Sequence, residues 1–135
     1  EEHHPETVEE MMANGIHAVP LTEGGFDEYV QSHPYAFINF YAPWCIWCQR
    51  LEPTWEAMAE EVDASDDLEV DVAKVDCVAN RNLCGAQRIQ AFPTLRFFKD
   101  GKQYGLDYRQ DRTVQALTAF LKQKVELEKT MEDWR

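Results

Sequence analysis

Two cysteines separated by two residues, Cys45 and Cys48, stand between an apolar segment and a long amphipathic one. Residues 35–41 are almost all apolar or aromatic, which predicts a central β-strand buried on both faces. Beyond the cysteines, large apolar residues recur at intervals of three and four, the pattern of one helix face. They are Leu51, Trp55, Met58 and Val62. We therefore expect the cysteine pair where a buried strand passes into a helix.

The rest of the chain alternates between strand patterns and helix patterns. In order, these are an edge strand at 17–21, a helix capped by Thr22, strands at 35–41 and 70–75, a short helix at 80–87, a strand at 95–98 and a C-terminal helix. Asp100 and Gly101 give a strong hairpin signal, which returns the chain in a last antiparallel strand. The order β-α-β-α-β-α-β-β-α predicts an α/β fold, with a central mixed β-sheet flanked by helices on both faces.

The length and charge of the chain restrict its organisation and its partners. A chain of 135 residues suits one domain with a substantial core, which we place at 16–125, after an acidic arm at 1–15 and before a helix end or fraying tail at 126–135. The formal charge of −12 repels nucleic acid and anionic lipid headgroups. No segment is apolar enough to cross a membrane, so we expect no membrane contact by this fragment, although a longer protein could carry an anchor.

Two features point only weakly to metal binding. The acidic run at 60–71 lacks the ordered spacing of a calcium loop. His3, His4, His17 and His33 have no ligand spacing with one another or with the cysteines. We expect the acidic run and the histidines to be solvated surface residues, and no metal site.

The position of the cysteine pair indicates thiol chemistry. A thiol at a helix N-terminus has its pKa lowered by the helix dipole and by unpaired amide groups, so Cys45 is the candidate nucleophile. Cys48 lies one turn later and could attack a mixed disulfide formed by Cys45, releasing the substrate. The alternative is half of a zinc site, because the same spacing is common among zinc ligands and Cys77 and Cys84 lie downstream. A position between a buried strand and a long helix favours the thiol chemistry.

The residues around these cysteines resemble the active-site segment of the protein disulfide isomerase family. The resemblance is carried by Phe40-Tyr41-Ala42-Pro43-Trp44-Cys45, Cys48, Leu51, Pro53, Trp55, Ala73-Lys74-Val75-Asp76-Cys77 and Phe92-Pro93-Thr94 through Gly101. It covers about residues 19–121 and implies a thioredoxin fold. Within the family, the chain is most similar to members with an extra cysteine pair after the Lys-Val-Asp strand, including plant and protist forms anchored in the early secretory pathway.

The resemblance also implies a substrate-binding surface. Pro93 would be a cis-proline facing the two cysteines, with the backbone beside Phe92 pairing with an extended substrate strand. The residues alone allow an ordinary trans turn at this strand start. Trp44 and Trp47 would contact apolar parts of a substrate. The alternative for Trp44 is a core aromatic.

Three positions depart from the family pattern and bear on redox tuning. Asn39 stands where the family places a buried carboxylate that relays a proton with Cys48, and an amide cannot titrate. Trp47 replaces a histidine, so no imidazolium can stabilise the Cys45 thiolate. The family's arginine three residues before the cis-proline is replaced by Gln90, with Arg88 nearby. Lys74 matches the family.

The remaining cysteines bear on compartment. Cys77 closes a predicted strand and Cys84 lies in the next short helix, so a local structural disulfide is expected, with two free buried thiols as the alternative. A stable disulfide requires an oxidising compartment, which indicates the endoplasmic reticulum lumen or the early secretory pathway.

Together these features predict a thiol–disulfide oxidoreductase or protein disulfide isomerase. It would act on unfolded or disulfide-containing proteins, exchange electrons with an upstream oxidant or glutathione, and need no cofactor. The alternative, which Asn39 supports, is a client-binding module with slow redox turnover.

Overall fold

The computed structural model describes residues 15–134. Its elements, in chain order, are β1 (Val19–Leu21), α1 (Phe26–Ser32), β2 (Tyr35–Tyr41), α2 (Ile46–Asp63), β3 (Asp71–Asp76), α3 (Arg81–Ala86), β4 (Thr94–Lys99), β5 (Lys102–Gln103) and α4 (Val114–Asp133). This is the predicted order. The expected acidic arm lies outside the described residues, apart from its last residue, Gly15.

The five strands form one mixed sheet in the order β1-β3-β2-β4-β5. β3 pairs in parallel with both β1 and β2, whereas β2 pairs antiparallel with β4. The short β5 pairs antiparallel with β4 across a two-residue turn. Asp100 and Gly101 of that turn have φ angles of 51° and 86°, the left-handed values that match a tight hairpin to the twist of its strands.

Two apolar cores lie on opposite faces of the sheet. On one face, α2 and α4 pack through residues such as Trp55 and Leu117 against Phe37 of β2. On the other face, Phe26 of α1 and Cys84 of α3 pack against the alternate side chains of the central strands. The almost wholly apolar sequence of β2, in which Asn39 is the exception, follows from this arrangement, because helices cover both of its faces.

The structure corrects one predicted helix boundary and decides another. Thr22 does not cap α1: the helix begins after Gly25, and it is the backbone carbonyl of Thr22 that accepts hydrogen bonds from the amides of Gly25 and Phe26. For 126–135 the sequence left a helix end or a fraying tail open, and the structure has the helix, which continues to Asp133. Its continuation is fixed by Glu128, which is almost fully buried and forms an ion pair with Lys99 and a hydrogen bond with Tyr104.

The expectation that the histidines lie at the surface is wrong for the two that the structure describes. The side chain of His17 is only 12% exposed, and its ring nitrogens lie 3.2 Å from Glu60 and 3.5 Å from Asp63. His33 is half-buried and stacks on Tyr29 with ring centroids 4.1 Å apart. His3 and His4 lie outside the described residues.

Candidate active site

Cys45 is the N-cap residue of α2, directly after the loop that follows β2. Its backbone is extended, and its Sγ accepts a hydrogen bond from the backbone amide of Cys48 at 3.4 Å. This amide is one of the helix N-terminal donors that have no partner within the helix. The strand-to-helix junction therefore places one sulfur atom at the helix N-terminus and a second one turn later, as the sequence predicts.

The surroundings displace the pKa values of the two thiols in opposite directions. Burial acts to raise the pKa of Cys45, but hydrogen bonds from the Cys48 side chain and from the amides of Cys48 and Trp47 outweigh it, and the pKa is lowered. Burial and the hydrogen bond to Cys45 raise the pKa of Cys48 to about 12. Near neutral pH, Cys45 is thus the better nucleophile and Cys48 is a protonated thiol.

The loop before β4 faces the cysteine pair. The Phe92–Pro93 peptide bond is cis, which confirms the expectation drawn from the family resemblance. The Cys45 thiol lies 3.7 Å from the carbonyl oxygen of Phe92, to which it donates a hydrogen bond. The structure therefore brings together Cys45, Phe92 and Pro93, although 47 residues separate the cysteine from the phenylalanine.

Exposed aromatic side chains surround the two sulfur atoms. Trp44 is 69% exposed and Trp47 is 57% exposed, so neither is a core residue and the alternative for Trp44 is wrong. The Trp44 ring meets the Phe92 ring edge-on with centroids 5.8 Å apart. The Trp47 ring lies 5.0 Å from the guanidinium carbon of Arg50. Large exposed apolar groups beside a reactive centre indicate a surface that another molecule covers.

A groove of about 670 Å³ extends from this surface. Trp47, Pro93 and Tyr108 contribute to its walls, and Arg109 and Arg112 come from the loop that precedes α4. The walls of the groove include the cis-proline loop.

Asn39 and Lys74 lie side by side beneath α2. They are directly paired in the parallel register of β2 and β3, so their side chains emerge on the same face of the sheet. Asn39 is fully buried, and its amide nitrogen and oxygen have no hydrogen-bond partner among the described residues. Lys74 Nζ contacts Glu52 at 2.8 Å and Glu56 at 3.1 Å, both on α2.

The basic residue near the cysteines is not the one that the sequence indicates. Arg88 lies in the turn after α3, with a φ of 57°, and lines neither the groove nor the cavity beside Cys48. The charge of Arg112 instead lowers the pKa of both Cys45 and Cys48. Sequence reasoning missed Arg112 because it lies 67 positions after Cys45 in an irregular loop with no motif.

Cys77 and Cys84 form a disulfide, with their Cα atoms 5.6 Å apart. The bond joins the residue after β3 to the interior of α3, as predicted, and excludes the alternative of two free thiols. It also removes two thiolates from the four-cysteine zinc site that was the alternative for the Cys45–Cys48 pair.

Residues 15–134 contain no group of three or more histidine, cysteine or acidic side chains arranged to hold a metal ion. None of the helices in this part of the chain combines the length and apolar character needed to cross a membrane.

Comparison with known proteins identifies the family. The thioredoxin family model matches residues 17–123, which is most of the chain. The chain belongs to the thioredoxin family. This thioredoxin domain is 41% identical over 103 residues to Protein disulfide-isomerase 5-4 of Arabidopsis thaliana, an alignment that covers 73% of this chain and 21% of the relative. The match confirms the predicted resemblance to protein disulfide isomerases.

Solved structures agree with this assignment. The J-Trx1 fragment of ERdj5 superimposes with a TM-score of 0.73 and 32% identity, covering 87% of this chain and 56% of that one. The first thioredoxin domain of mouse Protein disulfide-isomerase A4 gives a TM-score of 0.69 with 29% identity, covering 79% and 75%. The predicted thioredoxin fold is confirmed. The chain spans only about a fifth of the Arabidopsis relative's length.

Proposed function

We propose that this domain is a thiol–disulfide oxidoreductase of the protein disulfide isomerase type, with Cys45 as nucleophile and Cys48 as resolving thiol. The observation that carries the proposal is the geometry of the pair: Cys45 caps α2, its Sγ accepts a hydrogen bond from the Cys48 amide at 3.4 Å, and it lies against the cis-proline loop. This arrangement lowers the pKa of Cys45, while burial raises the pKa of Cys48. One group is prepared to attack and its neighbour is held protonated until it is needed. The relatives named protein disulfide-isomerase support the same activity.

The exchange uses only sulfur atoms and protons. The Cys45 thiolate attacks one sulfur of a client disulfide, the client S–S bond breaks, and one client sulfur leaves as a thiolate that takes a proton. The second bond forms when Cys48, after losing its proton, attacks Cys45 Sγ and displaces the other client sulfur. The client disulfide has then gained two electrons and the Cys45–Cys48 pair has lost two. The reverse sequence oxidises a client dithiol.

The clients that fit this site are unfolded proteins and proteins with non-native disulfides. Trp44, Trp47 and Phe92 present apolar surface, and the backbone beside Pro93 would pair with an extended client segment. Folded proteins seldom expose such segments, so binding would favour chains whose disulfides are not yet native. A client-binding module with slow turnover is not favoured, because nothing in pure binding requires the separated thiol pKa values.

The full-length protein would work in the endoplasmic reticulum lumen or the early secretory pathway, with an upstream oxidant or glutathione resetting its cysteines. The Cys77–Cys84 disulfide supports an oxidising compartment. Similarity to Protein disulfide-isomerase 5-4 supports the proposed likeness to plant forms. This proposal includes two finer points: that those plant forms share an extra cysteine pair like Cys77 and Cys84, and that the full-length protein has a membrane anchor.

Single-cysteine variants test the roles of the two thiols. With a scrambled-disulfide client, Cys45→Ser should abolish exchange because nothing can start the reaction. Cys48→Ser should instead accumulate a mixed disulfide between Cys45 and the client, visible on a non-reducing gel and by mass spectrometry. Substantial and equal turnover by both variants would contradict the assignment.

A further inference from the structure

The resolving step requires a proton acceptor. The buried carboxylate that the family resemblance implies at position 39 is absent from this chain. Cys48 is buried, and burial raises the pKa of its thiol, so the thiol must lose its proton before it can attack the mixed disulfide. Asn39 lies on the sheet face beneath α2 but carries an amide, which cannot take the proton. If the step is to be fast near neutral pH, a different group must accept that proton.

Lys74, which lies beneath α2, holds two carboxylates that could accept a proton. Lys74 is next to Asn39 in the sheet register, and its side chain reaches up to α2. There it contacts Glu52 at 2.8 Å and Glu56 at 3.1 Å. Burial acts to lower the pKa of Lys74, but the bonds and charges of the two carboxylates outweigh it and raise the pKa. The lysine is therefore a fixed positive group that positions two carboxylates.

Only Glu52 of these two carboxylates also borders Cys48. The two residues are four positions apart on α2, a spacing that places side chains next to each other on a helix surface. Both line a cavity of about 140 Å³, together with Tyr41 and the chain at 42–43. A cavity of this size has room for a few water molecules, and one water molecule can carry a proton between a thiol and a carboxylate. The side chain of Glu52 is 41% exposed, so a proton can pass from it to solvent.

We propose that Glu52 is the proton acceptor of the resolving thiol in this domain, a role that the amide of Asn39 cannot fill. The inference rests on the proposed function. In the mixed disulfide, Cys48 transfers its proton to the Glu52 carboxylate, directly or through one water molecule. The Cys48 sulfur then forms a bond to Cys45 Sγ, and the bond between Cys45 and the client breaks. Glu52 returns its proton to the departing client thiolate or to solvent.

Other ionisable groups near Glu52 could also affect the rate of the resolving step. Lys74 faces it from β3, Tyr41 from β2, and Cys48 and Glu56 from α2 itself. Burial, followed by the charge of Asp76, raises the pKa of Tyr41, so this hydroxyl stays protonated and can donate but not accept the proton near neutral pH. Glu56 shares Lys74 but is not among the residues that line the cavity beside Cys48, which makes it the control for loss of a Lys74 contact. Its other carboxylate oxygen accepts hydrogen bonds from the amides of His17 and Ala18, so the stability of the variant is measured as well.

The test separates the two chemical steps with glutathione disulfide as the probe. The reduced domain is mixed with it, the reaction is quenched in acid, and mass spectrometry counts reduced, glutathionylated and Cys45–Cys48-bridged species over time. Appearance of the glutathionylated species measures attack by Cys45 and tests the proposed function. Its disappearance into the bridged species measures the resolving step and tests the role of Glu52. Glu52→Gln and Glu56→Gln are compared with the unchanged domain.

Glu52→Gln should leave the first step within about twofold and slow the second by about 100-fold near neutral pH, the lower end of what a positioned acid–base group contributes. Its resolving rate should rise about tenfold per pH unit, because hydroxide must replace the carboxylate, while the unchanged domain shows a shallower profile. Glu56→Gln should keep the rate and the profile of the unchanged domain. The inference is overturned if Glu52→Gln resolves at the original rate with the original pH profile, or if both variants lose the same rate.

Discussion

The Cys45 thiol is surrounded by groups from three separate parts of the chain. The helix amides of Cys48 and Trp47 lower its pKa from one side, and the Phe92 carbonyl lies against its sulfur from another. Arg112, in the loop before α4, adds a positive charge from a third. The helix contribution is local and general to cysteines at this position, whereas the contribution of Arg112 belongs to this sequence.

The first prediction concerns Arg112. Removing its charge should raise the pKa of Cys45 and so reduce the thiolate fraction at a pH below that pKa. Arg112→Gln should therefore slow alkylation of Cys45 by iodoacetamide about twofold at mildly acidic pH, the modest size expected for an exposed charge. The difference should vanish at high pH, where the thiol is fully ionised in both proteins.

The matched control is Arg109→Gln, which removes a charge from the same loop and the same groove. It should alter the alkylation profile less than Arg112→Gln does. An equal change in the two variants would assign the effect to the general charge of the loop and would contradict a specific role for Arg112.

At the level of single residues, the sequence predicted the groups whose chemistry is contained in a local motif. Cys45 and Cys48 are recognisable because a buried strand and an amphipathic helix adjoin them. Arg112 was not predicted, because the fold brings it to Cys45 from a distant loop. Glu52 is only four positions from Cys48, but its contact with Lys74 and the cavity that it shares with Cys48 become visible only in the folded chain. Arg88 is close in sequence to Gln90, the position of the family's arginine, but it lines neither the groove nor the cavity beside Cys48.

At the level of elements, α3 is the shortest helix described and has the least packing of its own. It spans Arg81–Ala86, and Asn80 at its start provides no side-chain cap. Cys84 is its one buried residue and is bonded to Cys77 at the end of β3. A helix of six residues is too short to be stable alone in water, so its position depends on this bond and on its neighbours.

The second prediction concerns this disulfide. Replacing Cys77 and Cys84 together with alanine should lower the free energy of unfolding by about 2.5 kcal/mol, the chain-entropy value for a loop of about eight residues. Urea denaturation measures the difference. Turnover of a disulfide client should stay within about twofold, because the pair takes no part in the exchange cycle. Alkylation of both cysteines in protein that was never reduced would show that the bond is absent in solution.

Element boundaries were less predictable than element order. Hydrophobic periodicity gave the strands and helices because each has at least one face in a core. The sequence left the continuation of α4 past Val125 undecided between helix and tail, because its anchor is a charged residue, Glu128, which periodicity counts as polar. Its partners lie on β4 and just after β5, so only the folded chain reveals why a glutamate is buried there.

At the level of the whole molecule, two electrostatic fields of opposite sign act on a client. The chain carries a net charge of −12. The groove beside the active site is locally basic, with Arg50, Arg109 and Arg112 exposed along it. Of its two acidic residues, Asp107 is already paired with the buried Arg96 at 2.8 Å. Which field a client experiences depends on the distance over which charges are screened.

The third prediction follows from that distance. At about 150 mM salt the screening length is about 8 Å, so a client in the groove responds mainly to the arginines. A disulfide peptide with glutamates beside its cysteine should then oxidise the reduced domain about two to three times faster than the same peptide with lysines. At about 10 mM salt the screening length grows to about 30 Å, the dimension of the whole domain. The net negative charge then acts on the approaching peptide, and the lysine peptide should become the faster one.

Quenched-flow mass spectrometry at the two salt concentrations measures both rate constants. Combining Arg50→Gln with Arg109→Gln should remove the preference for the glutamate peptide at the higher salt concentration, since neither residue is bonded to the cysteines. The same variant should keep the preference for the lysine peptide at low salt, because a change of two charges leaves the domain strongly acidic. If the unchanged domain favours the same peptide at both salt concentrations, one field dominates throughout and the groove does not select clients by charge.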